Sequence, residues 1–204
     1  MVVVSLGLPR VDDALREALA MGADRAYLLS DRLFEMCDLA GRARILAAAV
    51  VRIGADLVVT GREAGDAAAG QIGPRVAEIL NIAQVSDVHV LEVQDSAVTA
   101  TRRWGQGYAT VETSLPALIS LAPGTNIPRY AHGARIMNAY RTWEVPVWGA
   151  GELDLEDADL EPLTIFQAQS FPPPLEIGEI LRGDAEDVAN DLATILRTQQ
   201  LIER

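Results

Sequence analysis

The amino-acid sequence predicts an α/β protein in which a parallel sheet with flanking helices carries an antiparallel extension and ends in a C-terminal arm. Three observations carry that reading. Over the first sixty residues short apolar runs alternate with amphipathic stretches, the pattern of βα units feeding a parallel sheet. From Val85 to Leu121 the apolar residues switch to a period of two, as antiparallel strands with one buried face require. From Gly149 the chain turns acidic and proline-containing before a last amphipathic stretch. Residues 1–148 are therefore expected to form the α/β domain, and 149–204 an acidic linker with a helical arm.

Met1 to Leu6 reads as a fully buried strand. A helix over 11–21 follows, because Ala14, Leu15, Ala18 and Leu19 share one face and Gly22 stands just past the expected C-terminus. Ala26 to Leu29 is the next strand, and 36–53 the next helix, with Leu39, Ala43, Leu46, Ala47 and Val50 at three-to-four spacing. Asp56 to Thr60 gives a third strand, and Gln71 to Leu80 a third helix. Turn signals at Gln94-Asp95-Ser96 and Gly105-Gln106-Gly107 divide Val85–Leu121 into a meander. After Pro123-Gly124 comes a short helix from Ala134 to Tyr140. The last helix, Ala185 to Ile202, carries Val188, Ala189, Leu192, Ile195, Leu196 and Ile202 on one stripe, the mark of an arm that packs on a partner or far across its own domain.

Composition excludes several kinds of chemistry. A net charge of −12 leaves no clustered positive surface for neutralising phosphates, so a nucleic-acid partner is not expected. All 17 basic residues are arginines, which removes the Walker-A lysine, the Schiff base and the lysine general base. His89 and His132 are the only histidines, too few for a histidine-rich metal site. Cys37 is the single cysteine and reads as a structural thiol within a helix of a disulfide-free protein. With no apolar run of about 18 residues, membrane insertion is not expected, and a soluble cytoplasmic protein is.

Ligands of open α/β sheets sit at the carboxyl ends of strands, which makes the loop Gly61-Arg62-Glu63-Ala64-Gly65-Asp66-Ala67-Ala68-Ala69-Gly70 the best-placed binding element. Its small side chains let backbone N–H groups approach a phosphate, and the helix that follows offers its positive N-terminus. Asp66 suits a ribose hydroxyl, and Gln71 a phosphate or base. The spacing matches neither dinucleotide nor Walker motif, and a βα turn without a ligand explains the composition equally well.

The run Ala18-Leu19-Ala20-Met21-Gly22-Ala23-Asp24-Arg25-Ala26 resembles the helix-to-strand segment of electron transfer flavoprotein beta subunits. Gly61-Arg62-Glu63-Ala64 with Asp66, Gln71, Gly73 and Pro74 resembles their nucleotide loop. Leu115-Pro116-Ala117, and Asn126-Ile127-Pro128-Arg129-Tyr130 with Ile136-Met137, resemble their later signature segments. The four blocks occur in the correct order, and the similarity is closest from Val2 to Arg141.

The resemblance implies a fold like the adenine nucleotide alpha hydrolases. It also implies AMP in this subunit, or a second FAD if the protein is bifurcating, and an FAD shared with an alpha subunit. By position, Leu6, Gly7, Gly61, Asp66, Gly70, Gln71 and Ile72 would line the nucleotide site. Pro123, Gly124, Thr125, Asn126, Ile127, Pro128, Arg129 and Tyr130 would form the loop that docks acyl-CoA or other dehydrogenases. The implied role is an electron carrier rather than an enzyme, in a heterodimer that passes electrons from dehydrogenases to a respiratory acceptor. A regulatory or structural nucleotide-binding module without redox activity is the alternative. Family members usually have a second aspartate where Ala68 stands, and arginine, acid and paired glycines where this chain has Arg102-Arg103-Trp104-Gly105-Gln106-Gly107. They also carry a strand and helix before the segment matching Val2, so the expectation here is a truncated gene product, a neighbouring chain that supplies the strand, or a protein that has shed part of the function.

Trp104, Trp143 and Trp148 read as packing residues and His132 as a surface residue. The run Glu152, Asp154, Glu156, Asp157, Asp159 and Glu161 lacks the oxygen spacing of a calcium loop and reads as a solvated linker.

Overall fold

The computed structural model describes residues 1–65, 68–165, 167–168, 170–173, 178 and 180–202. Met1–Ile165 and Phe166–Arg204 form separate units. The first opens with β1 (Val2–Leu6), α1 (Asp12–Met21) and β2 (Arg25–Leu29). Leu15, Leu19 and Ala20 of α1 pack with Ala26 and Leu28 of β2, and Gly22 ends the helix at φ 124°. Then come α2 (Leu39–Ile53), β3 (Leu57–Gly61) and α3 (Ile72–Leu80).

Helix α2 begins three residues later than its apolar spacing suggests, because Asp38 caps it. One carboxylate oxygen accepts from the Ala40 and Gly41 N–H groups at 2.9 and 3.0 Å. Cys37 consequently lies ahead of the helix rather than in it, buried, with its thiol against the Leu33 and Leu160 carbonyls. The other Asp38 oxygen accepts from the Leu163 and Thr164 N–H groups and the Thr164 hydroxyl. These donors, the Gly41 N–H foremost, hold the carboxyl below its ordinary value of 3.8. A depressed folded-state value means that the contribution is present above the unfolded value and is lost as pH falls through the folded one. Asp38→Ala is expected to cost about 2 kcal/mol at neutral pH, from the lost cap and the lost bonds to residues 163 and 164. The gap to the parent should close toward pH 2, and a gap independent of pH in urea titrations would refute the account.

Four more strands, β4 (Ala83–Val93), β5 (Ala97–Trp104), β6 (Gly107–Ser114) and β7 (Ala117–Leu121), precede α4 (Gly133–Arg141), β8 (Val147–Trp148) and α5 (Asp157–Leu160). They build two sheets, β1-β2-β8, all parallel, and β3-β7-β4-β5-β6. The expected meander stops at β6, since β7 pairs parallel with both β3 and β4. Its residues explain the difference. Ala117, Leu118 and Ile119 are fully buried in succession, which suits a central strand covered on both faces and not an alternating one. Conversely β1, expected to be buried, is half-buried throughout because it pairs on one side only.

Helices cover both faces of the β1-β2-β8 sheet and one face of the larger sheet. Leu28 packs with α1, whereas Leu29 packs with Ile45 and Ala49 of α2. Leu118 meets Ala43 and Ala47 of α2 with Val76 and Ala77 of α3, and Ile119 faces the opposite side with Val85, Val98 and Ala100.

The expected linker contributes to this core. Glu152, Asp154, Glu156, Asp157, Asp159 and Glu161 are exposed as anticipated, but Ala150, Leu153 and Leu160 pack with Leu29, Phe34 and Ile45. The first unit thus runs past residue 148 to Ile165. In the second unit, α6 (Ala185–Thr198) is capped by Asp184, which accepts from the Asp187 N–H at 3.0 Å. It stops short of the expected Ile202, with Gln200 turned to φ 58°, outside the helical region. None of its residues is buried within that unit, and Leu192 is 46% exposed.

Candidate functional site

The carboxyl ends of β1 and β3 open on one cavity of about 330 Å³. Val4, Ser5 and Leu6 form one wall, Thr60, Gly61, Arg62 and Glu63 another, Leu39, Arg42 and Leu46 of α2 a third, and Ala69 to Gly73 close it. Five of the expected nucleotide residues, Leu6, Gly61, Gly70, Gln71 and Ile72, come together here. Gly7 lies on an adjoining cavity of about 470 Å³ with Ser30 and Asp31, and the two cavities share Leu6 and Arg42. A Cβ on Gly7 would sit 2.8 Å from Val11 Cγ2, so glycine lets the chain turn tightly at the end of β1. Asp66 lies outside the described residues.

The N-terminus of α3 points donors at this cavity. Gln71 gives no side-chain cap, and Pro74 has no N–H, so the first-turn N–H groups of Ile72 and Gly73 are the ones left for a ligand. The helix dipole adds partial positive charge at the same end. Beneath it the Thr60 hydroxyl is buried without a partner among the described residues, 3.0 Å from where a Cβ on Gly73 would stand. Gln71 Oε1 accepts from Arg75 Nε and Nη2 at 3.2 and 3.0 Å, which leaves the amide NH₂ as the donating end of that side chain. Arg62 bonds Glu63 at 2.9 Å and lies 3.8 Å from Asp87; Arg42 donates to the Cys37 carbonyl at 3.4 Å.

Two guanidinium groups, a helix N-terminus and an orphan hydroxyl suit a phosphate ester with neighbouring hydroxyls. Arg62 lines the cavity from within the expected loop, whereas Ser5, Arg42 and Thr60 were not foreseen as lining residues. Thr60 had one signal, as the last polar residue of a strand just before the loop. Ala68 takes φ 45°, a conformation that aspartate and asparagine adopt more readily than alanine.

The segment from Pro123 to Tyr130 lies at the surface. Ile127 is 93% exposed and Tyr130 fully so, while the Thr125 hydroxyl turns inward to the Val88 and Ala122 carbonyls at 3.1 and 2.7 Å. Ile136, Met137 and Tyr140 of α4 are also exposed. Pro123 lines a further cavity of about 420 Å³ together with Arg62 and Glu63, on the β7 side of β3.

A family model described as the electron transfer flavoprotein domain matches residues 1–149. The electron transfer flavoprotein subunit beta of Thermoanaerobacterium thermosaccharolyticum is 35% identical over 204 residues, covering 98% of this chain and 78% of that protein. The chain belongs to the electron transfer flavoprotein beta subunit family.

The beta subunit of Clostridium acetobutylicum is 39% identical over 158 residues, 78% of this chain and 61% of that protein. Subunit CarD of the caffeyl-CoA reductase-Etf complex of Acetobacterium woodii is 33% identical over 208 residues, again 98% of this chain and 78% of that protein.

In this beta-family chain the other conspicuous side chains divide between packing and surface positions. Trp148 stacks on Tyr27 at 4.0 Å beneath Arg52, and Trp143 lies beneath Arg135. Trp104, expected to pack, is instead 67% exposed beside Arg102. His132 caps α4, its Nδ1 accepting from the Ala134 N–H. Among the described residues no helix is long and apolar enough to cross a membrane, and no group of three or more His, Cys, Asp or Glu is placed to hold a metal ion.

Proposed function

We propose that this beta-family chain pairs with an FAD-bearing alpha subunit, holds AMP at the ends of β1 and β3, and carries electrons from acyl-CoA or other dehydrogenases toward a respiratory acceptor. The observation that carries the reading is the cavity itself, which gathers the α3 N-terminus, the Thr60 hydroxyl, Arg42 and Arg62 around small side chains. Its described lining sets two guanidinium groups and the α3 N-terminus beside small side chains, which suits phosphate recognition. The phosphate would rest on the Ile72 and Gly73 N–H groups with the two guanidiniums offsetting its charge, and the adjoining cavity past Gly7 gives the rest of the nucleotide room.

The flavin supplies the redox chemistry when bound. This chain's residues bind the structural nucleotide and shield the flavin's environment. Exposed Ile127, Tyr130 and Met137 offer the apolar contacts expected of a docking face for dehydrogenases, with Thr125 bonded inward rather than presented. Members whose second nucleotide is FAD would use the same helix terminus for its pyrophosphate.

Co-expression with the alpha-subunit gene of the same genome tests this. The expected product is a one-to-one heterodimer with flavin absorbance that releases AMP on denaturation, identified by chromatography and mass spectrometry. A stable lone chain, with no flavin and no nucleotide in the preparation, would overturn it.

A further inference from the structure

Asp87 carries a charge for which the fold itself has no use. It sits where β4 breaks register with β7. Val85 pairs with Ile119 and Val88 with Leu121, so Ser86 and Asp87 together oppose the single residue Ser120. Two residues facing one is a β-bulge, which interrupts the pairing and re-aims a side chain. Asp87 takes φ 58°, a left-handed conformation that aspartate tolerates better than most residues. Its N–H donates to Oγ of the buried Ser120 at 3.5 Å. The carboxylate is less well provided for, because Oδ1 is closed off from solvent without a hydrogen-bond partner among the described residues. A buried carboxylate oxygen in that state costs stability, so the charge is explained by what it faces.

It faces Arg62. Nη1 of that side chain lies 3.8 Å from Asp87 Oδ1, while Nη2 donates to Glu63 Oε1 at 2.9 Å. β3 and β4 flank β7 and so stand two strand spacings, roughly 9.5 Å, apart. Arg62, which follows β3, therefore reaches across the end of β7 to meet the bulge on β4. Thr60 pairs with Ser120, so Thr60, Ser120 and the bulge form one row across three strands. The first turn of α3 lies over that row: a Cβ on Gly73 would stand 3.0 Å from Thr60 Oγ1 and 3.9 Å from Ser120 Cβ. Arg62 and that first turn line the same cavity.

A guanidinium presents five N–H donors in one rigid plane. Directing one from each Nη to a carboxylate fixes the plane and leaves Nε–H and one N–H on each Nη for a ligand. An arginine without such anchors has to be ordered when the phosphate arrives, which weakens binding.

We propose that Asp87 is a positioning residue for the nucleotide site: the β4 bulge aims its carboxylate at Arg62, so that the guanidinium is oriented for the phosphate before the ligand arrives. It acts from a strand that gives the cavity no described lining residue. The assignment rests on the nucleotide reading of the cavity given above.

Release of AMP from the co-expressed heterodimer, followed by mass spectrometry as excess isotope-labelled AMP exchanges in, tests this. Asp87→Asn keeps the shape and suits the left-handed backbone but removes the charge. It is expected to speed release about fivefold or more, and Arg62→Gln about tenfold or more. The double variant should release AMP within about twofold of the rate of Arg62→Gln alone, because Asp87 acts only through that side chain. Asp87→Glu, which keeps the carboxylate, should stay within about threefold of the parent. In urea, the 204-residue chain carrying Asp87→Asn should unfold at a midpoint equal to or above the parent's, since Oδ1 has no hydrogen bond to lose. Release from Asp87→Asn at the parent rate overturns the proposal. So do additive effects in the double variant, release from Asp87→Glu as fast as from Asp87→Asn, or a lowered urea midpoint. A parent heterodimer that holds no AMP fails earlier and differently, since it removes the nucleotide reading of the cavity and the role of Asp87 with it.

Discussion

Replacing Leu118 by alanine is expected to destabilise the protein by about 3–5 kcal/mol, the upper part of the range for deleting a buried leucine side chain. Leu118 is fully buried on the central strand β7, with β3 and β4 on either side. Its side chain fills the space between Ala43 and Ala47 of α2 and Val76 and Ala77 of α3. Three of those four neighbours are already alanines and have no side chain to move into the hole, so the cavity would persist. The lost contacts also underlie the candidate site, since Leu118 Cδ2 lies 3.4 Å from the Cβ position of Gly73. Urea unfolding followed by circular dichroism measures the loss, and a change below about 1 kcal/mol would show that the layers repack. By comparison, Val59→Ala, on a half-exposed edge residue, is expected to cost under about 1 kcal/mol in the 204-residue chain.

What the sequence made legible follows from how local each signal is. The βα rhythm, the Gly22 stop and the small-residue loop are encoded within a few residues, and each marks an element or site wall in the structure. The parallel placement of β7 was legible in principle, because Ala117-Leu118-Ile119 has no polar alternation. Its position after three alternating strands assigned it to the meander. Nothing local distinguishes β1 from a central strand, since exposure of an edge is decided by which strands pair beside it. Residues 149–165 misled for another reason: six carboxylates set the composition, while Ala150, Leu153 and Leu160 carry the burial. Arg42 and Ser5 reach the site from a helix and a strand remote in sequence, which only the tertiary arrangement reveals.

Gly73→Val in the co-expressed heterodimer is expected to lower the nucleotide recovered by more than tenfold, equivalent to over about 1.4 kcal/mol of binding. A Cβ at this position already lies 3.0 Å from Thr60 Oγ1 and 3.4 Å from Leu118 Cδ2, and the two valine methyls need more space. Neither neighbour retreats easily, one sitting on a paired strand and the other in the core, so the first turn of α3 must lift and take its N–H groups with it. Gly73→Ala should lose less, because one methyl needs only a few tenths of an ångström of adjustment. Thr60→Ala separates space from chemistry. Removing an unpartnered buried hydroxyl should leave the stability of the nucleotide-free chain unchanged or slightly raised. The same change should weaken nucleotide retention about fivefold or more if the hydroxyl bonds the ligand. In the Thr60→Ala, Gly73→Ala double variant the steric conflict is gone, so stability should recover while retention stays low. Full nucleotide content in Gly73→Val would show that the ligand rests elsewhere, and the assignment of the α3 N-terminus would fall with it.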